Sequence, residues 1–178
     1  IMGLLTNSPA LLAAAMSLAL FSATAARAQP IDFQTYFPRM EAVRIDESEA
    51  PVIDGDLSDA AWSKAATTED FYQVEPAEGA PPSERTRAYL MYDRETLYVG
   101  FHLFDSEPEK ITAKLMARDA QLRNEDSIRV MLDPFGTFRD GFFFGTNPNG
   151  ARVDALIENS SAIRVEWNTI WNVKARIV

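Results

Sequence analysis

From residue 86 onward the chain runs in short stretches of alternating or continuous apolar character, each closed by turn-forming residues. Residues 86–92 (TRAYLMY) and 97–104 (LYVGFHLF) flank Asp93-Arg94-Glu95-Thr96, which has the length and composition of a hairpin connection. Further strands are predicted over 127–132 (SIRVML), 141–147 (GFFFGTN) and 152–158 (RVDALIE), the last two joined through Pro148-Asn149-Gly150, where Asn-Gly supplies the φ > 0 positions of a tight turn. Residues 169–178 (TIWNVKARIV) put Trp171, Val173, Ala175 and Ile177 on one face and Asn172, Lys174 and Arg176 on the other, the pattern of a half-buried strand.

Before residue 86 the pattern is less regular. Residues 29–44 form a lead-in without clear periodicity, and an early strand is expected over 42–45. Residues 52–62 (VIDGDLSDAAW) combine a turn at Asp54-Gly55-Asp56 with helical character over 58–64, for which Ser58 and Asp59 are the capping residues expected. Residues 75–85 (EPAEGAPPSER) are a loop, because their Pro and Gly content sustains neither a ladder nor a helix. No long amphipathic helix alternates with the strands, so the expected fold is all-β, an antiparallel β-sandwich rather than a doubly wound α/β sheet. Because alternation is still running at Val178, the domain over 45–178 is expected to be incomplete at its C-terminus.

The first 28 residues change the picture of where the protein works. ALLAAAMSLALFSATAA ends in Ala26-Arg27-Ala28, a small-x-small cleavage pattern, and is shorter and richer in Ala than a membrane span of about 20 apolar residues. Residues 1–28 are therefore read as a signal peptide, although the stretch ahead of the apolar run has no Lys or Arg. Arg27 is the only charged side chain there, so the chain's net charge of −9 becomes −10 once the segment is removed. A protein so acidic is repelled by phosphate backbones and anionic membrane surfaces, which argues against a nucleic-acid partner. The absence of Cys rules out disulfides, thiolate metal sites and an N-terminal lipidated Cys, leaving packing alone to stabilise the fold.

IDGDLSDAAW, the hairpin YLMYDRETLYVGFHLFDSEP, the strand EDSIRVMLDPFG and the segment GFFFGTNPNGARVDA together resemble family 9 carbohydrate-binding modules, over roughly residues 45–178. FYQVEPAEGAPPSERT, Arg118-Asp119, NPNG and EWNTIWNVKARI are similar, more narrowly, to the subgroup that precedes a C-terminal outer-membrane β-barrel of unknown function. The resemblance implies a jelly-roll-like sandwich that binds a glycan or oligosaccharide, in an exported protein of the periplasm, outer membrane or cell surface of a Gram-negative-type bacterium. Its own barrel would then be a further partner. The family's sugar site does not carry over. Where sugar-binding members have a clamping Trp three residues before the Asp-Ser pair, this chain has Arg123; a Glu three residues after that Asp is Arg129, an Arg on the next strand is Gly145, and the second clamping Trp would fall beyond Val178.

Sugar recognition needs aromatic faces for pyranose C–H groups and planar polar side chains for hydroxyls. Trp62 and Trp171 read as core residues, whereas Trp167 is open to either fate. Arg123, Asn124 and Arg129 occupy or adjoin the ligand positions of the family, and Arg pairs bidentately with carboxylates, so an acidic sugar is conceivable beside the plainer reading of a solvated polar surface. The candidate ligand-binding residues are thus Arg123, Asn124, Arg129 and Trp167. Asp54, Asp56 and Asp59 offer oxygen ligands to Ca²⁺, yet turn formation accounts for Asp-Gly-Asp equally well, and no other cofactor is expected.

Catalysis by this domain is not expected. Acids numbering 26 produce carboxylate pairs by chance, there is no GxSxG motif, and the single histidine, His102, lies mid-strand. A haem would need axial ligands, for which His102 with Met91 or Met131 is a thin case. The expected function is non-catalytic carbohydrate binding linked to polysaccharide binding or breakdown; the alternative is a structural cap on an outer-membrane barrel that has lost sugar binding.

Overall fold

The structure is a computed structural model in which residues 30–178 are described; the signal peptide expected over 1–28 lies outside them. Among the described residues eight strands form two four-stranded sheets and the only helical elements are four 3₁₀ turns, giving an all-β, sandwich-like architecture. None of those turns is long and apolar enough to cross a membrane.

The first sheet is built on β3 (Thr86–Tyr92). One edge of β3 pairs along its full length with β4 (Leu97–Leu103). The hairpin between them is closed by Asp93, whose Oδ1 accepts the N–H groups of Glu95 and Thr96 and whose Oδ2 accepts the Tyr98 hydroxyl. The other edge of β3 is shared by two short strands, β2 (Ala66–Thr68), which is antiparallel, and β1 (Val43–Arg44), which is parallel. The sheet is therefore mixed rather than purely antiparallel, because the lead-in enters alongside β3 in the same direction.

That lead-in belongs to the fold. Ile31 N–H donates to the Gly79 carbonyl at 2.9 Å, and the Tyr36 ring meets Tyr72 edge-on at 5.2 Å. Gly79 has φ +73°, and a Cβ there would stand 2.1 Å from the Ile31 carbonyl oxygen, so only glycine allows the approach.

Ile45, Ala61, Trp62 and Met91 make the buried cluster of this sheet, with Leu57, Tyr89 and Tyr98 packed against it. Alternation places Tyr89 and Met91 of β3 and Tyr98 and Gly100 of β4 on the same face. Trp62 lies over Gly100: a Cβ there would come within 3.0 Å of the Trp62 ring and the Leu57 methyl. The helical character expected over 58–64 is reduced to a 3₁₀ turn at Trp62–Lys64 with no side-chain cap, because the Asp59 carboxylate accepts the Val52 N–H instead.

The second sheet is an antiparallel meander of β5 (Ile128–Leu132), β6 (Gly141–Thr146), β7 (Arg152–Glu158) and β8 (Ala162–Arg164). β2 and β8 were not expected from the sequence. Conversely, residues 169–178 form no strand. This segment is held by side chains rather than by a ladder: Arg152 donates to the Trp171 carbonyl at 3.0 Å, Arg176 pairs with Asp56 at 2.9 Å, and the Ala175 backbone lies against Gly55.

Candidate functional site

Register decides which residues of the second sheet can act together. Arg129 lies directly opposite Gly145 and Met131 opposite Phe143, so these four share a face. Phe142 and Phe144 point to the other face, where they meet Trp167 at 5.2 and 6.5 Å; Trp171 packs edge-on against Phe144 at 5.3 Å. Arg129 and Trp167 consequently stand on opposite sides of the sheet, and the four residues singled out from the sequence do not converge. Trp167 is half-buried and braces the sheet, as Trp171 does.

Arg123 and Asn124 lie on the 3₁₀ turn Leu122–Asn124 immediately before β5, where buried Leu122 anchors the turn and leaves its two polar neighbours exposed. Among the described residues, the side chains of Arg123, Asn124 and Arg129 have no hydrogen bond or ion pair. By contrast Arg85, Arg87, Arg94, Arg118, Arg164 and Arg176 all face carboxylates.

The Arg129 face contains an aromatic group that sequence reasoning missed. The Phe143 ring folds along its own strand over Gly145, 3.3 Å from the position a Cβ would take there. Phe143 is the diagonal neighbour of Arg129 across the ladder, a separation that long and aromatic side chains bridge. β5 is the sheet's edge strand, with Met131 67% exposed, whereas Ala155 on β7 is wholly buried, so the face opens as a ledge along β5. Only the pairing of β5 with β6 brings Phe143 beside Arg129; nothing local in GFFFGTN marks it among its neighbours.

A second exposed group caps the same sheet. In the β5–β6 loop, Asp133 accepts the N–H groups of Phe135 and Phe138, and these bonds, led by that from Phe138, hold its carboxyl below the usual range. Asp140 accepts the Asn159 N–H, and Arg139 donates to the Asn159 side chain. The loop so braced leaves Phe135 and Phe138 76% and 90% exposed, with Phe138 at φ +56°, a costly conformation for a bulky residue.

The carboxylates considered for Ca²⁺ make local contacts. Asp54 accepts the Asp56 N–H, and Asp56 accepts the Ser58 N–H and faces Arg176, contacts that lower the Asp56 pKa. Among the described residues no group of three or more His, Cys, Asp and Glu is arranged to hold a metal ion. Nor is a haem ligand pair assembled: His102 stacks on Phe104 at 4.1 Å, Met91 is sealed in the first sheet's core, and Met131 belongs to the second sheet. Two shallow hollows, one at Asp46, Glu47 and Arg94 and one at Glu84, Ser106 and Lys110, include none of the four candidate residues.

No family model, curated protein or solved structure matches this chain.

Proposed function

We propose that this is a non-catalytic carbohydrate-binding domain of an exported protein, serving polysaccharide binding or breakdown in the periplasm or at the cell surface. The observation that carries the reading is the ledge along β5: an exposed, partnerless Arg129, the Phe143 ring beside it and the side-chain-free Gly145 opposite. An aromatic face next to a planar multiple donor is what a pyranose requires, C–H groups packing on the ring while hydroxyls accept from the guanidinium. Asn124, at the turn leading into β5, adds an amide that both donates and accepts. The resemblance to family 9 carbohydrate-binding modules supports the same reading, with the ligand contacts shifted from Trp to Arg123, Arg129 and Phe143.

Calorimetric titration of the whole protein against a panel of neutral and acidic oligosaccharides, with and without Ca²⁺, tests this. The expected result is saturable binding that Arg129→Ala or Phe143→Leu weakens while circular dichroism stays unchanged. No heat with any glycan, from protein shown to be folded, would overturn it.

A second reading, a structural cap on the protein's own outer-membrane barrel, is favoured by the braced loop that holds Phe135 and Phe138 in solvent. It predicts that Phe135 and Phe138 become protected from hydroxyl-radical footprinting only in the membrane-inserted full-length protein. Equal labelling with and without the barrel would count against it.

A further inference from the structure

Resting on the carbohydrate-binding reading, we infer that the glycan recognised on the β5 ledge is anionic, a uronic-acid oligosaccharide whose carboxylate is taken by Arg129, with Arg123 adding positive charge at one end. The chain carries 26 acidic against 17 basic side chains, yet the strands contribute no carboxylate to the face of the second sheet that holds Arg129. The charged residues of β7 and β8, namely Arg152, Asp154, Glu158 and Arg164, all lie on the opposite face.

The acids nearest in sequence are committed elsewhere. Glu125 accepts the N–H groups of Lys114 and Leu115 and the Asn147 amide; burial pushes its carboxyl up, but these bonds outweigh it and the net shift is downward. Asp126 accepts the Thr112 N–H, and Asp133 those of Phe135 and Phe138. Neither the Arg123 nor the Arg129 guanidinium has a carboxylate within ion-pair distance among the described residues, so two arginines flank the start of β5 without a direct partner, in a protein with carboxylates in excess. A guanidinium offers a carboxylate two parallel N–H bonds, a fit that a neutral hydroxyl cannot match. Phe143 supplies the apolar surface for the sugar ring that carries the carboxylate, and Gly145, having no side chain, lets the Phe143 ring lie down on the sheet opposite Arg129.

The experiment compares oligogalacturonate with its methyl ester, which keeps the sugar backbone but removes the charge, and with a neutral xylo-oligosaccharide. Titrations use the whole protein as wild type, Arg129→Gln, Arg129→Lys and Arg123→Gln. The expected result is binding of the acid at least tenfold tighter than the ester, weakening as salt is raised. Arg129→Gln should abolish that preference, Arg129→Lys should restore it in part, and Arg123→Gln should reduce it. If acid, ester and xylo-oligosaccharide bind alike, the anionic preference is overturned while carbohydrate binding stands. If the acid is preferred but Arg129→Gln leaves the preference intact, the assignment to this ledge is overturned. If folded protein binds none of the three and no other glycan, the carbohydrate reading itself fails, and this inference with it.

Discussion

Arg118 holds the carboxylate of Asp154, a wholly buried side chain on β7, and Thr169 N–H donates to the other carboxylate oxygen at 2.7 Å. Arg118 also donates through Nε to Asn168 at 2.8 Å. One ion pair thus fastens the chain around Trp167 and Trp171 to the face of the second sheet, in place of a backbone ladder. Arg118→Ala would leave the carboxylate buried with little compensation, at a cost of about 3 kcal/mol. Urea denaturation should show that loss, and tryptophan fluorescence should shift to the red as residues 167–171 loosen. Arg118→Met combined with Asp154→Leu should recover most of the stability, since replacing both charges removes the desolvation penalty.

Gly79→Ala should detach the lead-in. A Cβ would collide with the Ile31 carbonyl, and the +73° φ resists any L side chain, for a loss of at least about 1 kcal/mol. Hydrogen exchange should rise at the Ile31 amide, while the β3–β4 amides keep their protection. An Ile31 amide as slow as in the wild type would show that the contact does not anchor the segment.

Trp62 is the largest buried side chain of the first sheet's cluster, and Trp62→Ala is expected to cost about 3–5 kcal/mol. Trp62→Phe should cost less, because the edge contact with Tyr89 is partly kept. Gly100→Ala should also destabilise, since the new methyl must displace the Trp62 ring or Leu57. Equilibrium denaturation of the three variants gives the order.

The β3–β4 hairpin should confer an acid-sensitive increment of stability. Hydrogen bonds from the Glu95 backbone, then from the Tyr98 hydroxyl and the Thr96 backbone, hold the Asp93 carboxyl below its ordinary range. A carboxyl with a depressed folded-state pKa contributes fully above its unfolded value of about 4, and the contribution is lost as pH falls through the lower folded value. The Tm difference between wild type and Asp93→Asn should be constant from neutral pH to about pH 5 and shrink below about pH 4. A difference that persists undiminished at pH 2 would assign the stabilisation to the hydrogen-bond geometry rather than the charge.

Much of the fold was legible along the chain. Strands β3 to β7 lie within a residue of where the apolar pattern put them, as do the 93–96 turn and the loop over 75–85. β2 and β8, three residues each, carry too little pattern to be read alone and exist because β3 and β7 offer them a free edge. The segment 169–178 shows the converse: its alternation is strand-like, but among the described residues no ladder receives it, and its polar groups bond to Arg152 and Asp56. Asp59 was expected to cap a turn and instead accepts the Val52 N–H, which sequence spacing does not bring near it.

For the candidate site, the sequence by itself determined the inventory: strands with period-two faces, the arginines at 123 and 129, the amide at 124 and an aromatic-rich β6. Those follow from local chemistry, since alternation and turn formation act over a few residues. Only the tertiary structure decided the company each side chain keeps. A one-residue change in the β5–β6 register would carry Arg129 to the tryptophan side of the sheet. The observed register sets it opposite Gly145, beside Phe143 and away from Trp167, and that pairing is specified by contacts between strands that no stretch of sequence contains.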